Sequence, residues 1–272
     1  MKKLKKRTII VLLAVILIFA AAAIAFSFWK QPLKKEVAPK KTPIHLVAMG
    51  DSLTEGIGDE TKAGGYVGII KEDLAKDKQV TKITTKNYGV MGNKIDQLSK
   101  RFNTQPNFQK DVKQANIITI TIGGNDVMKI LKSRLLNTKV SDFSTGNKHF
   151  QKQLKDLLKA IRKENSRAPI YLVGIYNPYT TYFGDIKEFE EIISAWNAKS
   201  KETLQTVPNA HFIPIADKIE IFDKKWQNKP NPLLAKDHFH PNRKGYEKIA
   251  TALEKSIRKQ LRANKIPLYA VK

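Results

Sequence analysis

A serine hydroxyl is a weak nucleophile at neutral pH. To do chemistry it needs a base, and the base needs a group that orients it. The sequence offers such a set. Ser52 stands in Gly50-Asp51-Ser52-Leu53-Thr54-Glu55-Gly56, directly after an apolar run. A tight turn there, beside a glycine, exposes the hydroxyl and frees the serine's own backbone N–H. Asp237 and His240 lie three apart in Asp237-His238-Phe239-His240-Pro241-Asn242. That spacing lets the carboxylate hold one imidazole nitrogen while the other faces Ser52. His238 is the rival base, but its position next to Asp237 favours opposite pointing. Acyl transfer also needs donors aimed at a developing oxyanion. The Ser52 N–H, the Gly92 N–H in Asn87–Asn93 and the Asn125 side-chain amide in Gly123-Gly124-Asn125-Asp126 supply three. Asp51 is assigned to hydrogen bonding within its loop, and Asp126 to helix capping. His45, His149 and His211 read as packing or surface residues. There is no cysteine, which excludes a thiol nucleophile and disulfides. No His/Asp/Glu cluster has metal-ligand spacing, so neither a metal nor a cofactor is expected.

These residues must be carried by something. Five short apolar runs recur: Ile44–Met49, Val80–Tyr88, Ile117–Ile122, Ile170–Tyr176 and His211–Ile215. Their length and β-branched content predict strands. Helical patterns lie between and after them, at Gly65–Lys76, Phe150–Lys163, Glu188–Thr206 and Gly245–Leu261. In the first, Val67, Ile70 and Leu74 share a face; in the second, Phe150, Leu154, Leu157, Leu158 and Ile161 do. Strands alternating with helices imply a parallel sheet covered on both sides. The expected fold class is α/β, a three-layer α/β/α sandwich with a mainly parallel sheet of about five strands. Sites in such sheets collect at the carboxyl ends of the strands, and each chemistry-bearing segment follows a predicted strand or precedes the last helix. Tyr176, Tyr179, Tyr182, Phe183, Phe222 and Trp226 should border the rim, as acyl or sugar contacts or as core. Leu131–Asn147, of mixed polarity, reads as a rim insertion.

The four segments, in this order, resemble the SGNH (GDSL-type) hydrolase family over Ile44 to about Leu261. MGDSLTEG is similar to its nucleophile block, NYGVMG to its second, GGND to its third and DHFHPN to its Asp-x-x-His block. The resemblance implies a flavodoxin-like sandwich that hydrolyses carboxylic esters or related acyl bonds through an acyl-serine intermediate. It implies Ser52 as nucleophile, His240 as base, Asp237 as its orienting partner, and Ser52, Gly92 and Asn125 as the oxyanion hole. The pattern is most similar to exported esterase and lysophospholipase-like members from Gram-positive bacteria.

The N-terminus sets the expected location. Met1–Arg7 carries five basic side chains, and Thr8–Trp29 then runs 22 residues without a charge. At about 1.5 Å per residue such a helix rises roughly 33 Å, enough for a bilayer core. Residues 1–29 are therefore expected to be a membrane anchor with the catalytic domain outside, or a signal peptide cleaved after Ala25, giving a secreted protein. Residues 30–43, with three prolines and five lysines, form a solvated linker, and the hydrolase domain spans 44–272. Of the net charge of +24, residues 1–41 contribute +9 and the remainder +15. No nucleic-acid recognition pattern accompanies that charge, so a nucleic-acid partner is not expected; the charge reads first as a solvated basic face and, as the functional alternative, as attraction to an anionic envelope. The expected partners are a small-molecule or lipid ester, such as a lysophospholipid, or an acylated envelope glycan, together with the membrane. The alternatives are an O-acetyl esterase acting on envelope glycans and, in a different class, a non-catalytic module that binds anionic envelope polymer.

Overall fold

The structure, a computed structural model, describes residues 41–134, 140–183 and 187–267, with Ala23 and Phe26. Apart from Ala23 and Phe26, the expected anchor or signal segment and nearly all of the linker lie outside the described residues. Among the described residues, no helix is long and apolar enough to cross a membrane.

The elements run β1 (Thr42–Gly50), α1 (Ser52–Glu55), α2 (Gly65–Ala75), β2 (Val80–Gly89), α3 (Ile95–Thr104), α4 (Pro106–Gln114), β3 (Ile117–Thr121) and α5 (Gly124–Arg134). They continue with α6 (Val140–Glu164), β4 (Ile170–Val173), α7 (Thr180–Phe183), α8 (Lys187–Gln205), β5 (Ala210–Ile213), α9 (Ala216–Ile219), a 3-10 turn at Lys224–Trp226, and α10 (Arg243–Arg262). The five strands pair in the order β2-β1-β3-β4-β5, all parallel.

Period-two alternation in β1 separates two cores. Ile44, Leu46 and Ala48 face Ile70 and Leu74 of α2 and Tyr246, Ile249 and Leu253 of α10. Val47 and Met49 face the opposite layer, where Leu98, Phe108, Leu154 and Trp196 bring in α3, α4, α6 and α8. The expected three-layer α/β/α sandwich is therefore what the chain forms. Strand order reverses at β1, which lies between β2 and β3, and in such sheets ligands bind beside that point at the carboxyl ends of the strands. Ser52 follows β1 at that point.

The details differ from expectation in places, for local reasons. β1 begins two residues early, at Thr42. The fourth strand stops at Val173 because the Asn197 side chain takes over as a partner: its Oδ1 accepts from the Ile175 N–H at 2.9 Å and its Nδ2 donates to the Ile175 carbonyl at 2.8 Å. The fifth stops at Ile213, since Pro214 has no N–H to continue the ladder. The third ends at Thr121 rather than Ile122. The β2-to-β3 crossover consists of α3 and α4, neither of which was assigned from sequence; Pro106 opens α4 at a position where its missing N–H costs nothing. The presumed rim insertion is helical up to Arg134 and again from Val140, with 135–139 outside the described residues.

Candidate active site

The nucleophile segment is built from β1 outward. Gly50 has φ +148°, and a Cβ there would lie 2.1 Å from the Thr121 carbonyl oxygen of β3, so only glycine lets the two strands end this close together. Asp51 caps α1, accepting from the Leu53 N–H at 3.1 Å, and Ser52 is the first helical residue. The first N–H groups of a helix have no intrahelical partner. Accordingly the Ser52 N–H has no acceptor among the described residues, nor does the Gly92 N–H.

Beneath Ser52 lies a buried polar network that sequence reasoning missed, apart from the local role given to Asp51. The Thr121 hydroxyl donates to Asp51 Oδ1 at 2.7 Å. Thr54 Oγ1 lies 2.7 Å from Thr121 Oγ1 and 2.9 Å from the Tyr66 hydroxyl, which in turn lies 3.1 Å from Thr119 Oγ1. The signal was present: Thr119 and Thr121 are the polar residues in an otherwise apolar, fully buried strand. Burial pushes the Asp51 carboxyl up to about 6, while the bonds from Thr121 and Leu53 and the nearby His240 pull it back down.

His240, the candidate base, approaches from the far end of the chain. His240 Nε2 lies 2.9 Å from Ser52 Oγ, and His240 Nδ1 lies 2.6 Å from Asp237 Oδ2. Partial burial pulls the Asp237 carboxyl upward, but the bonds from the His240 ring and from the Phe239 and His240 N–H groups outweigh it and hold the pKa below its ordinary value. An ionised carboxylate only accepts, so it fixes the imidazole proton on Nδ1 and leaves Nε2 free to accept from the serine hydroxyl. The loop is tied to the sheet edge by Tyr176, whose hydroxyl donates to the Phe239 carbonyl at 2.6 Å. His238, at φ +57°, turns outward and meets Tyr182 edge-on with ring centroids 6.0 Å apart, away from Ser52.

The remaining donors come from the neighbouring strand ends. Gly92 has φ +77° in the turn after β2. That turn is held by the Met91 N–H on Glu55 Oε2 at 2.5 Å, and by Arg101, which donates to Asn93 Oδ1 at 2.8 Å and to the Tyr88 carbonyl at 2.6 Å. Asn125 lies in the first turn of α5, and its Nδ2 donates to the Asn93 carbonyl at 3.0 Å. One of its two amide protons is thus used to join the second and third segments. Asp126 does not cap its own helix. Its carboxylate accepts from the Ile95 N–H at the start of α3, at 3.3 and 3.4 Å. Burial raises it to about 7. Ser52, Thr121, Asn125, Ile175, Tyr176 and Phe239 are among the residues lining a narrow cleft at the nucleophile.

The comparisons with known proteins bear on this arrangement. The GDSL-like Lipase/Acylhydrolase family model matches residues 48–248. The chain belongs to that family. Membership makes it a serine ester hydrolase, in place of the non-catalytic polymer-binding alternative. Among relatives, the protein YpmR of Bacillus subtilis is 34% identical over 229 residues, covering 84% of this chain and 87% of that one. The spore germination lipase LipC of Bacillus licheniformis is 27% identical, covering 77% and 94%. Among solved structures, the lipase Lip_vut3 from a goat rumen metagenome superposes with a TM-score of 0.67 at 24% identity, covering 78% of this chain and 97% of that one. The acetylxylan esterase Axe2 of Geobacillus stearothermophilus superposes with a TM-score of 0.59 at 18% identity, covering 80% and 96%.

Proposed function

We propose that this family member is a cell-envelope esterase of the lipase or lysophospholipase-like kind, held to the membrane by residues 1–29 with the catalytic domain outside. The observation that carries the chemistry is the hydrogen-bonded chain from Asp237 through His240 to Ser52. His240 takes the hydroxyl proton as Ser52 Oγ attacks the ester carbonyl, and Asp237 stabilises the resulting imidazolium. The oxyanion is met by the Ser52 and Gly92 N–H groups and the second amide proton of Asn125. His240 then protonates the departing alcohol, and water admitted to the same base hydrolyses the acyl-serine. The apolar run Thr8–Trp29 supports the tether, and the apolar cleft at Ser52 supports a lipid-type ester.

A fluorophosphonate probe tests the chemistry. Covalent labelling of wild type on Ser52, absent in Ser52→Ala, is expected, and ester hydrolysis by Ser52→Ala at the wild-type rate would refute the assignment. Fractionation tests the tether: the protein should sediment with membranes, and a mature form in the medium beginning near Phe26 would replace anchoring by secretion.

A second reading, removal of O-acetyl groups from envelope glycans, draws on a different feature. A cleft of about 210 Å³ beside the catalytic loop is lined by Thr181, Tyr182, Phe222 and Gln227, and the Tyr182 and Phe222 rings are exposed to solvent. Exposed rings beside polar groups suit a sugar face. Higher kcat/KM on 4-nitrophenyl acetate than on longer esters would favour this reading.

A further inference from the structure

The cleft at Ser52 does not end at the nucleophile. Gly124, Ile175, Tyr176, Pro178 and Phe239 wall it, and the same five residues wall a second cleft further on. The second is lined by Val127 and Met128 of α5 and by Phe189, Ile192 and Ile193 of α8. Two of the polar groups on these walls are already engaged: the Tyr176 hydroxyl donates to the Phe239 carbonyl, and Asn177 Oδ1 accepts from the Tyr179 N–H at 2.9 Å. What the passage offers an occupant is therefore mostly carbon. Each chamber holds about 40 Å³, against about 210 Å³ for the rim cleft beside Tyr182. That difference suits an extended chain better than a sugar ring.

Its reach follows from the sheet. The passage starts after β1, crosses the end of β3 at Gly124 and runs past the end of β4 at Ile175 to reach α8. Two strand spacings of about 4.8 Å make that roughly 10 Å. With bonds of about 1.5 Å, an extended alkyl chain advances roughly 1.3 Å per carbon, so about eight carbons span the distance. We infer that the two clefts form one acyl passage, and that the enzyme takes esters of medium-length fatty acids, with the chain tail seated on α8 near Ile193. The inference rests on Ser52 being the acylated nucleophile, and it goes further by naming the acyl group.

Ile193 is partly buried against the core and stands apart from the reacting groups, so it can be changed without touching the chemistry. The experiment measures kcat/KM on 4-nitrophenyl esters of 2, 4, 8, 12 and 16 carbons for wild type, Ile193→Trp and Ile193→Ala. Each buried methylene is worth roughly fourfold. Wild type should peak at eight carbons, at least tenfold above acetate. Ile193→Trp, which fills the far chamber, should lose at least tenfold on the eight- and twelve-carbon esters while acetate stays within twofold. Ile193→Ala should move the peak toward twelve. A wild-type profile falling from acetate onward, or one profile shared by all three proteins, would overturn the passage. Calorimetric titration of Ser52→Ala with sodium octanoate and with acetate provides a readout independent of turnover. Octanoate binding that weakens tenfold when Ile193→Trp is added supports the passage even if no ester is cleaved, in which case the reading of Ser52 fails alone. Ester cleavage with an acetate optimum and no octanoate binding removes the passage and leaves Ser52 as nucleophile.

Discussion

The two halves of the candidate site are held in opposite ways. On the β1 side, Asp51 and Ser52 are only 4% and 2% exposed, and hydrogen bonds reach from Asp51 through Thr121, Thr54 and Tyr66 to Thr119, joining β3 to two helices. On the other side, Asp237 sits on an exposed loop, held by its own bonds to the Phe239 and His240 N–H groups and by Tyr176. The sheet fixes Ser52, the proposed nucleophile, and a short self-capped loop presents His240, the proposed base. Perturbing the first side should therefore appear in stability as well as rate, whereas perturbing the second should appear mainly in rate.

The sharpest test of this contrast is His240→Ala. On the proposed mechanism kcat falls roughly 10⁵-fold, because the serine loses its base. The urea midpoint should move little, since the imidazole is near the surface and its loop keeps the backbone bonds to Asp237. A large loss of stability would mean that the base loop is as integral to the fold as the nucleophile corner. Asn125→Ala comes next. Removing one oxyanion donor costs roughly 10² to 10³ in kcat with KM nearly unchanged. It also breaks the bond to the Asn93 carbonyl, so a loss of about 1 kcal/mol in stability should accompany it. A rise in KM at constant kcat would place Asn125 in substrate binding instead.

How much of this was legible in the sequence follows the same division. Ser52, Gly92, Asn125, Asp237 and His240 sit in short blocks whose residue types and local spacing point to their chemistry. The order of those blocks, together with strand–helix alternation, was enough to anticipate the sandwich. The support beneath Ser52 was not legible, because all of its bonds but that of Thr54 to Tyr66 join residues 53 to 70 positions apart, and a threonine in a strand carries no mark of its partner. The same holds for Tyr176, 63 positions from the carbonyl it holds. Helices α3 and α4 went unassigned for a different reason. Ile95, Leu98 and Phe102 do keep helical spacing, but each helix spans only nine or ten residues, and Pro106 interrupts the pattern. The fourth strand was read too long because Ile175 and Tyr176 continue its apolar run, while the Asn197 amide that ends the ladder comes from α8.

The nucleophile side makes its own prediction through pH. The folded protein holds the Asp51 proton up to a pKa of about 6, against an ordinary value of 3.8. Over that window the folded state binds more protons than the unfolded state, so stability falls as pH rises from about 4 to about 6. Two units correspond to about 3 kcal/mol. Asp51→Asn keeps an oxygen that can accept from Thr121 and Leu53 but cannot ionise. Urea unfolding at pH 4, 5, 6 and 7 should therefore give a flatter profile for Asp51→Asn than for wild type over that range. The slope contributed by Asp126, raised to about 7, should remain in both. Parallel profiles would mean that Asp51 is solvated well enough to titrate normally, and the view of a rigid, dry nucleophile corner would fail.

The smallest expected effect probes the seam between the two halves. Tyr176 is buried against the sheet, and its hydroxyl holds the carbonyl of Phe239, the residue before His240. Burial pushes the phenol far above its ordinary pKa, so it remains a donor throughout the working range. Tyr176→Phe keeps the ring that walls the acyl passage and removes only this bond. A neutral hydrogen bond is worth about 1 kcal/mol, which corresponds to about fivefold in the fraction of molecules with His240 in place. kcat on a short ester should fall by about that factor with KM unchanged and the chain-length profile intact. If instead the profile shifts while kcat on acetate holds, the hydroxyl shapes the passage rather than the loop, and the base side depends on Asp237 alone for its position.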